Sequence, residues 1–187
     1  LKNELTDQEI LMSILSNHAT SSVVRVEGEI DINDLNRGDY SGEEVAKRME
    51  RASVLAQVDI HRAATHNKGV MNGIHAVVLA TGNDTRGAEA SAHAYAARDG
   101  QYRGMATWKY DKARGRLVGT IEVPMTLAIV GGGTKVLPVA KASLDLLNVE
   151  SARELGHVVA AVGLAQNFSA CRALVSEGIQ KGHMSLQ

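Results

Sequence analysis

The feature that most constrains the fold is one long apolar stretch late in the sequence. Residues Val149 to Gln180 are predicted to form a single helix, and between Leu155 and Leu174 this helix is apolar almost all round. A helix that is hydrophobic on every side is stable in water only when other elements surround it. We therefore expect it to be largely buried at the centre of a domain. The 187 residues of the chain are enough for one such domain.

Composition narrows the kind of core and the kind of partner. Aromatic residues make up only 3 % of the chain, so Ala, Val, Leu, Ile and Met must build the core, which favours close helix packing. The net charge of −1 gives no electrostatic reason to expect nucleic acid or an anionic membrane as a partner. We see no apolar run of the roughly 18 residues that a membrane span needs. The single cysteine, Cys171, excludes an intrachain disulfide and fits a reducing cytoplasm.

Local patterns predict the remaining elements. Helices are expected from Thr6 to Leu15, Ser41 to Val58, Asp59 to His66, Asp84 to Arg98 and Val139 to Leu147. Strands are expected from Ser21 to Glu29 and in a hairpin, Met105–Tyr110 and Leu117–Val123, around the turn 111–116. The run Ile74 to Ala80 fits a helix or a buried strand equally well. The predicted class is α+β: a helix-rich domain around a long buried central helix, with a small β-sheet or hairpin.

The densest group of polar and charged residues lies between Asp59 and Ile74. Lys68 stands there between an amide residue and Gly69, with Arg62 and Asn72 nearby. Glycines at 69 and 73 predict a flexible segment that a ligand can approach, and lysine is a compact point charge that suits a developing oxyanion. A solvated helix end with ordinary surface charges explains the same residues, and composition alone favours that explanation.

Three weaker signals follow. Asp84 is most simply a helix N-cap. Gly131, Gly132 and Gly133 before Thr134 form either a tight turn or an approach for a phosphate or cofactor ring, although they match neither a dinucleotide fingerprint nor a Walker A loop. His183 follows a glycine at the end of the long helix, where a structural role is commoner than a catalytic one. No histidine has a partner at a diagnostic metal-site spacing, so we expect no metal.

The residue sequences of these segments and their order along the chain are together far more specific than any single segment. The chain resembles hydroxymethylglutaryl-CoA reductase of the class found in bacteria, through these segments: Arg62 to Gly73, Ala80 to Arg86, His93 to Gly104, Val130 to Thr134 and Ile179 to Met184. That family reduces the thioester of hydroxymethylglutaryl-CoA to mevalonate with two hydrides from NADH or NADPH, and some bacterial members run the reverse. The resemblance therefore implies an oxidoreductase that acts on hydroxymethylglutaryl-CoA, mevalonate and CoA, and that forms a homodimer or a higher homo-oligomer.

The resemblance also implies roles for individual residues. The catalytic set is Lys68, Asp84 and His183; Arg62 and Asn72 hold the hydroxymethylglutaryl group; the segment linked to the nicotinamide cofactor is Gly131, Gly132, Gly133 and Thr134. Charge builds on the thioester oxygen during hydride attack, and an ammonium stabilises it. An aspartate nearby keeps that lysine charged, so we expect the side chains of Lys68 and Asp84 within direct or one-water hydrogen-bonding range.

Two departures from the family pattern set the expected extent of the chain. The family's glutamate motif, Glu-Asn-Val-Ile-Gly, and an Asp-Ala-x-x-x-Asn-like cofactor motif do not occur in it. We therefore expect residues 1–187 to be the later part of the large catalytic domain, without the small cofactor domain and the C-terminal flap. The alternatives are a catalytically inactive fragment that dimerises and binds without turnover, and an unrelated α+β hydrolase that uses His183 and Asp84.

Overall fold

The fold was analysed in a computed structural model that describes residues 11–176 and residue 178. Its helices are α1 (Gly42–Val58), α2 (Ile60–Ala80), α3 (Thr85–Ala96), α4 (Gly132–Val136), α5 (Pro138–Leu147) and α6 (Ala152–Val175). Its strands are β1 (Val23–Asp31), β2 (Ala106–Asp111) and β3 (Arg116–Pro124), and short 3-10 turns occupy Thr20–Ser22 and Ile32–Leu35. This is the predicted α+β class.

The strands form one antiparallel sheet in the order β1-β3-β2. The predicted hairpin is confirmed as β2 and β3, in which Trp108 lies opposite Gly119. On β3 every second side chain is buried, including Leu117, Ile121 and Val123. Helices α1 and α6 pack against this sheet, and the core lies between the sheet and the helices.

The central helix expected from the sequence is α6. One face of α6, which includes Leu155, Val159 and Leu164, is buried and packs against α2, β1 and β3. Val162 and Leu174 are exposed, so the helix is buried on one side and not all round. It runs from Ala152 to Val175 and is shorter than predicted at both ends, since Ser176 and Gly178 lie outside it. Contrary to the expectation from the sequence, α6 qualifies as a membrane span by length and composition, but a single such helix is weak evidence.

Helix α2 is one continuous helix, which corrects the predicted flexible segment after His66. Glycine permits its closest packing contact, because a Cβ at Gly73 would lie 2.7 Å from the carbonyl oxygen of Val162 on α6. On the facing side, a Cβ at Gly163 would lie 2.9 Å from the side chain of Ile74. The two backbones therefore cross closely, and Ile74–Ala80 is helical rather than a strand.

The observed helix starts agree with the predicted caps more closely than the observed helix ends agree with the predicted ends. Ser41 caps α1 through a reciprocal capping box with Glu44, and Asp59 caps α2. The first predicted helix is not formed where it can be judged: residues 1–10 lie outside the described part, and 11–15 are non-helical and exposed.

Candidate functional site

Helix α2 carries three of the predicted site residues. The carboxylate of Asp59 accepts a hydrogen bond from the backbone N–H of Arg62 at 2.7 Å, which fixes the first turn. Lys68 and Asn72 are both exposed and stand four residues apart, so they share one face of the helix. The lysine is therefore held by a regular helix rather than by a flexible turn.

Arg62 lies half-buried, nearer the start of α2, beside neutral groups. Its Nη2 donates to the Sγ of Cys171 at 3.9 Å. Among the described residues no carboxylate pairs with its guanidinium, since Asp59 accepts only its backbone N–H. The positive charge of Arg62 is thus not neutralised by the part of the chain that the structure describes.

A chain of buried polar side chains lies behind Arg62. The thiol of Cys171 donates to Oδ1 of Asn167 at 3.6 Å, and Nε1 of Trp108 donates to the same oxygen at 2.9 Å. Nδ2 of Asn167 lies 3.4 Å from Nδ1 of His66, whose Nε2 lies 3.0 Å from the carbonyl oxygen of Ala106. Sequence motifs alone assign this network no role. Its one local signal is the spacing of Asn167 and Cys171, which are four residues apart on α6.

Burial determines the protonation of this network. Burial, and then the nearby charge of Arg62, lower the pKa of His66 to about 4, against a smaller opposing effect of the Ala106 carbonyl. Burial raises the pKa of the Cys171 thiol, although the charge and hydrogen bond of Arg62 act in the other direction. Near neutral pH the histidine is therefore uncharged and the cysteine is a protonated thiol.

The second group of predicted residues surrounds the turn that follows α2. Asp84 is the N-cap of α3, where its Oδ1 accepts hydrogen bonds from the backbone N–H groups of Arg86 and Gly87, each at 3.1 Å. Asn83, just before it, donates through Nδ2 to the carbonyl oxygen of Ala128 at 3.1 Å and accepts from the Ala128 N–H at 2.7 Å. This pair of bonds fastens the turn to the segment that leads to the glycine motif.

The glycine motif lies directly against that turn. A Cβ at Gly133 would approach the carbonyl oxygen of Gly82 to 3.0 Å. Gly131 and Gly132 have φ of +81° and +47°, and no atom of the described residues lies within 4 Å of a Cβ built at Gly132. The structure thus joins two motifs, 81–84 and 131–133, that are far apart in the sequence.

The structure does not join Lys68 to Asp84. Helix α2 continues from Lys68 to Ala80, which is about 18 Å of helix axis at the usual rise, and Asp84 lies beyond that end. The expected contact between the two side chains is therefore not made within one chain. The contact was expected because the segment after His66 was predicted to be flexible, whereas it is helical to Ala80.

Two of the predicted residues have no described side chain. His183 lies outside the described residues, and Thr134 is described only as part of the short helix α4. Within residues 11–176 and 178, His, Cys, Asp and Glu side chains form no group of three suited to a metal ion.

Comparison with known proteins decides the family. The model of the hydroxymethylglutaryl-coenzyme A reductase family matches residues 1–187, the whole chain. The chain belongs to the hydroxymethylglutaryl-CoA reductase family. A curated reductase of Archaeoglobus fulgidus is 48 % identical over 182 residues, and one of Borreliella burgdorferi, described as probable, is 38 % identical over 178 residues.

Solved structures of this reductase family share the fold. The Streptococcus pneumoniae enzyme is 50 % identical to this chain, with a TM-score of 0.87. The match covers 95 % of this chain and 42 % of the S. pneumoniae chain. A class II structure from the same organism, described as bound to NADPH in open conformations, is 51 % identical with a TM-score of 0.84 and covers 95 % of this chain and 43 % of its own. The alignment with the A. fulgidus reductase covers 97 % of this chain but only 40 % of that protein. The alignment with the B. burgdorferi protein covers 95 % of this chain and 41 % of that protein.

Proposed function

We propose that the protein containing this chain reduces hydroxymethylglutaryl-CoA to mevalonate and CoA with NADPH or NADH, or catalyses the reverse. Membership of the reductase family supports the reaction. The observation that carries the proposal is the half-buried Arg62 without a carboxylate partner among the described residues, on the same helix as Lys68 and Asn72. A site for an anionic acyl group needs such an uncompensated cation.

Arg62 and Asn72 are proposed to hold the hydroxymethylglutaryl group. Guanidinium binds a carboxylate through two parallel hydrogen bonds, which fixes orientation as well as position. The distal carboxylate of the substrate does not change during reduction. Its grip therefore contributes equally to the ground state and the transition state, and Arg62 should affect KM more than kcat.

Lys68 is proposed to stabilise the oxygen of the reacting thioester. Hydride attack turns a neutral carbonyl oxygen into an oxyanion, and a fixed ammonium stabilises the charged form far more than the neutral one. A helix holds Lys68 in register with Asn72, so little reorganisation is needed when the charge develops. His183, outside the described residues, is proposed to protonate the departing CoA thiolate.

The glycine segment fits a nicotinamide cofactor. Gly131 and Gly132 have positive φ angles that favour glycine, and no described residue lies within 4 Å of a Cβ built at Gly132, so a flat ring or a phosphate can approach the main chain there. A reduced nicotinamide supplies the hydride when bound. Gly131, Gly132, Gly133 and Thr134 are proposed to line its site, and the NADPH complex of the S. pneumoniae enzyme supports this cofactor class.

The separation of Lys68 from Asp84 supports an active site shared between two copies of the chain. Both side chains must lie within a few ångströms of the reacting carbonyl for the proposed chemistry, and in one copy about 18 Å of the α2 axis separates Lys68 from Ala80, with Asp84 beyond that end. Two copies that place the Lys68 of one beside the Asp84 of the other satisfy both needs. We accordingly propose that the protein is at least a homodimer. We also propose a cytoplasmic location, and that residues 1–187 belong to the later part of the large catalytic domain.

Steady-state kinetics on the full-length protein test these roles, with the absorbance of the reduced nicotinamide as the signal. Lys68→Ala should lower kcat at least about 100-fold, the usual effect of losing one oxyanion partner, whereas Arg62→Ala should mainly raise KM for hydroxymethylglutaryl-CoA. Lys109→Ala, which removes an exposed lysine on β2, is the matched control and should leave both constants unchanged. A folded Lys68→Ala enzyme with near-normal kcat would refute the role of the lysine.

A further inference from the structure

The hydrogen bonds behind Arg62 admit one direction only. The Ala106 carbonyl can only accept, so Nε2 of His66 donates to it and Nδ1 is left to accept from Nδ2 of Asn167. Oδ1 of Asn167 then accepts from Trp108 and from the Cys171 thiol. Because the thiol proton is committed to Asn167, the sulfur lone pairs face the Nη2 of Arg62.

We infer that Asn167 and Cys171 are positioning residues for Arg62: they hold its guanidinium through a neutral acceptor and so keep its full charge for the carboxylate of the substrate. This inference rests on the proposed function for the identity of the anion. Asn167 and Cys171 touch no substrate in this arrangement and act only through the arginine. Both are almost completely buried, with exposed fractions of 1 % each.

A thiol suits this position for an electrostatic reason. An aspartate there would form a buried ion pair with Arg62 and cancel the charge that the substrate needs. An alanine would leave the guanidinium without its side-chain acceptor, so it would sample more orientations. Sulfur accepts hydrogen bonds weakly, so it can orient the arginine without competing strongly with a carboxylate.

Kinetics of the full-length protein test the inference through four variants. Cys171→Ala should raise KM for hydroxymethylglutaryl-CoA about fivefold, in keeping with the loss of one weak hydrogen bond, while kcat and KM for the nicotinamide stay unchanged. Cys171→Ser keeps a donor and an acceptor and should restore most of the affinity. Cys171→Asp should raise KM further than Cys171→Ala. Ser169→Ala on the same helix is the control, because the exposed Ser169 hydroxyl donates to the Ala165 carbonyl and, among the described residues, to no other group.

A second readout does not depend on turnover. The side-chain N–H resonances of Arg62, assigned by their loss in Arg62→Lys, should show slow rotation in the unmodified protein and faster rotation in Cys171→Ala, with recovery in Cys171→Ser. If the protein has no reductase activity but these resonances respond, the proposed function fails and the positioning role stands. The inference would be overturned if KM and the Arg62 resonances are both unchanged in Cys171→Ala. It would also be overturned if Cys171→Ala lowers kcat and raises both KM values together, and Cys171→Ser does not reverse these changes.

Discussion

Arg62 differs from Arg114 in what its guanidinium touches. Arg114 bonds at 2.6 Å to Glu29 and at 2.7 Å to Asp111, so its charge is neutralised within the fold. Arg62 instead faces a thiol, and its charge is felt by His66, whose pKa it helps to lower. An arginine that the fold leaves uncompensated, half-buried and oriented has the properties of an anion-binding group.

The buried His66 makes stability depend on pH at a single residue. Its pKa is about 4 in the folded protein and 6.5 in an unfolded chain, so between these values the unfolded state binds more protons. Stability is therefore fully present above pH 6.5 and falls as the pH is lowered towards 4. The loss from this residue between pH 7 and pH 5 should be about 2 kcal/mol in the free energy of unfolding.

Urea unfolding at pH 7 and pH 5 measures the total difference in the free energy of unfolding. A variant without His66 separates the contribution of His66 from that of the other titratable groups. His66→Gln should lower stability at pH 7 but remove about 2 kcal/mol of the difference between the two pH values. His61→Gln, which changes an exposed histidine on the same helix, should leave the difference as it is. Equal pH dependence in all three proteins would show that His66 does not titrate as the structure requires.

At the scale of the element, α2 shows what the sequence predicts and where it fails. The caps at Ser41, Asp59 and Asp84 were predicted correctly, because capping depends on neighbours within a few residues. The length of α2 was not, because Gly69 and Gly73 each lower intrinsic helix propensity by about 1 kcal/mol. Packing against α6, which local sequence does not reveal, outweighs that cost.

The same limit applies to the candidate site. The sequence motifs identify the site residues, but the arrangement of these residues depends on the length of α2 and on contacts between distant segments. The approach of Gly133 to Gly82 and the network from His66 to Cys171 join residues about 50 and 100 positions apart. Local patterns therefore indicate the residues but not the separation of Lys68 from Asp84 along α2.

The two glycines of α2 should respond oppositely to the same substitution. Gly73→Ala puts a methyl group 2.7 Å from the Val162 carbonyl and should destabilise the protein by about 2 kcal/mol, as overpacking usually does. Gly69→Ala meets nothing within 4 Å and should stabilise it by about 0.5–1 kcal/mol through helix propensity. Urea unfolding at pH 7 measures both, and similar effects at the two positions would contradict the close crossing of α2 and α6.

At the scale of the whole molecule, the two groups of site residues lie at different points along one rigid helix. Arg62, Lys68 and Asn72 belong to α2 itself, whereas Asp84 and the glycine motif lie beyond its end. A helix of 21 residues packed along α6 does not bend to bring them together. Two copies of the chain that each supply one of the two groups would complete one active site, and each copy would then contribute to two sites.

Mixed dimers of two inactive full-length variants test this sharing. Lys68→Ala removes the lysine, and Asp84→Asn removes the carboxylate charge while keeping a good helix cap. Random pairing puts about half of the chains in mixed dimers, and each mixed dimer contains one site with both native residues, so activity should recover to about a quarter of the unsubstituted enzyme. Mixing Asp84→Asn with the double variant Lys68→Ala/Asp84→Asn should give no recovery, because neither copy then supplies the aspartate. If the first mixture also stays at the level of the single variants, although mixed dimers are shown to form by mass spectrometry, Lys68 and Asp84 do not meet across the interface and the shared site is wrong.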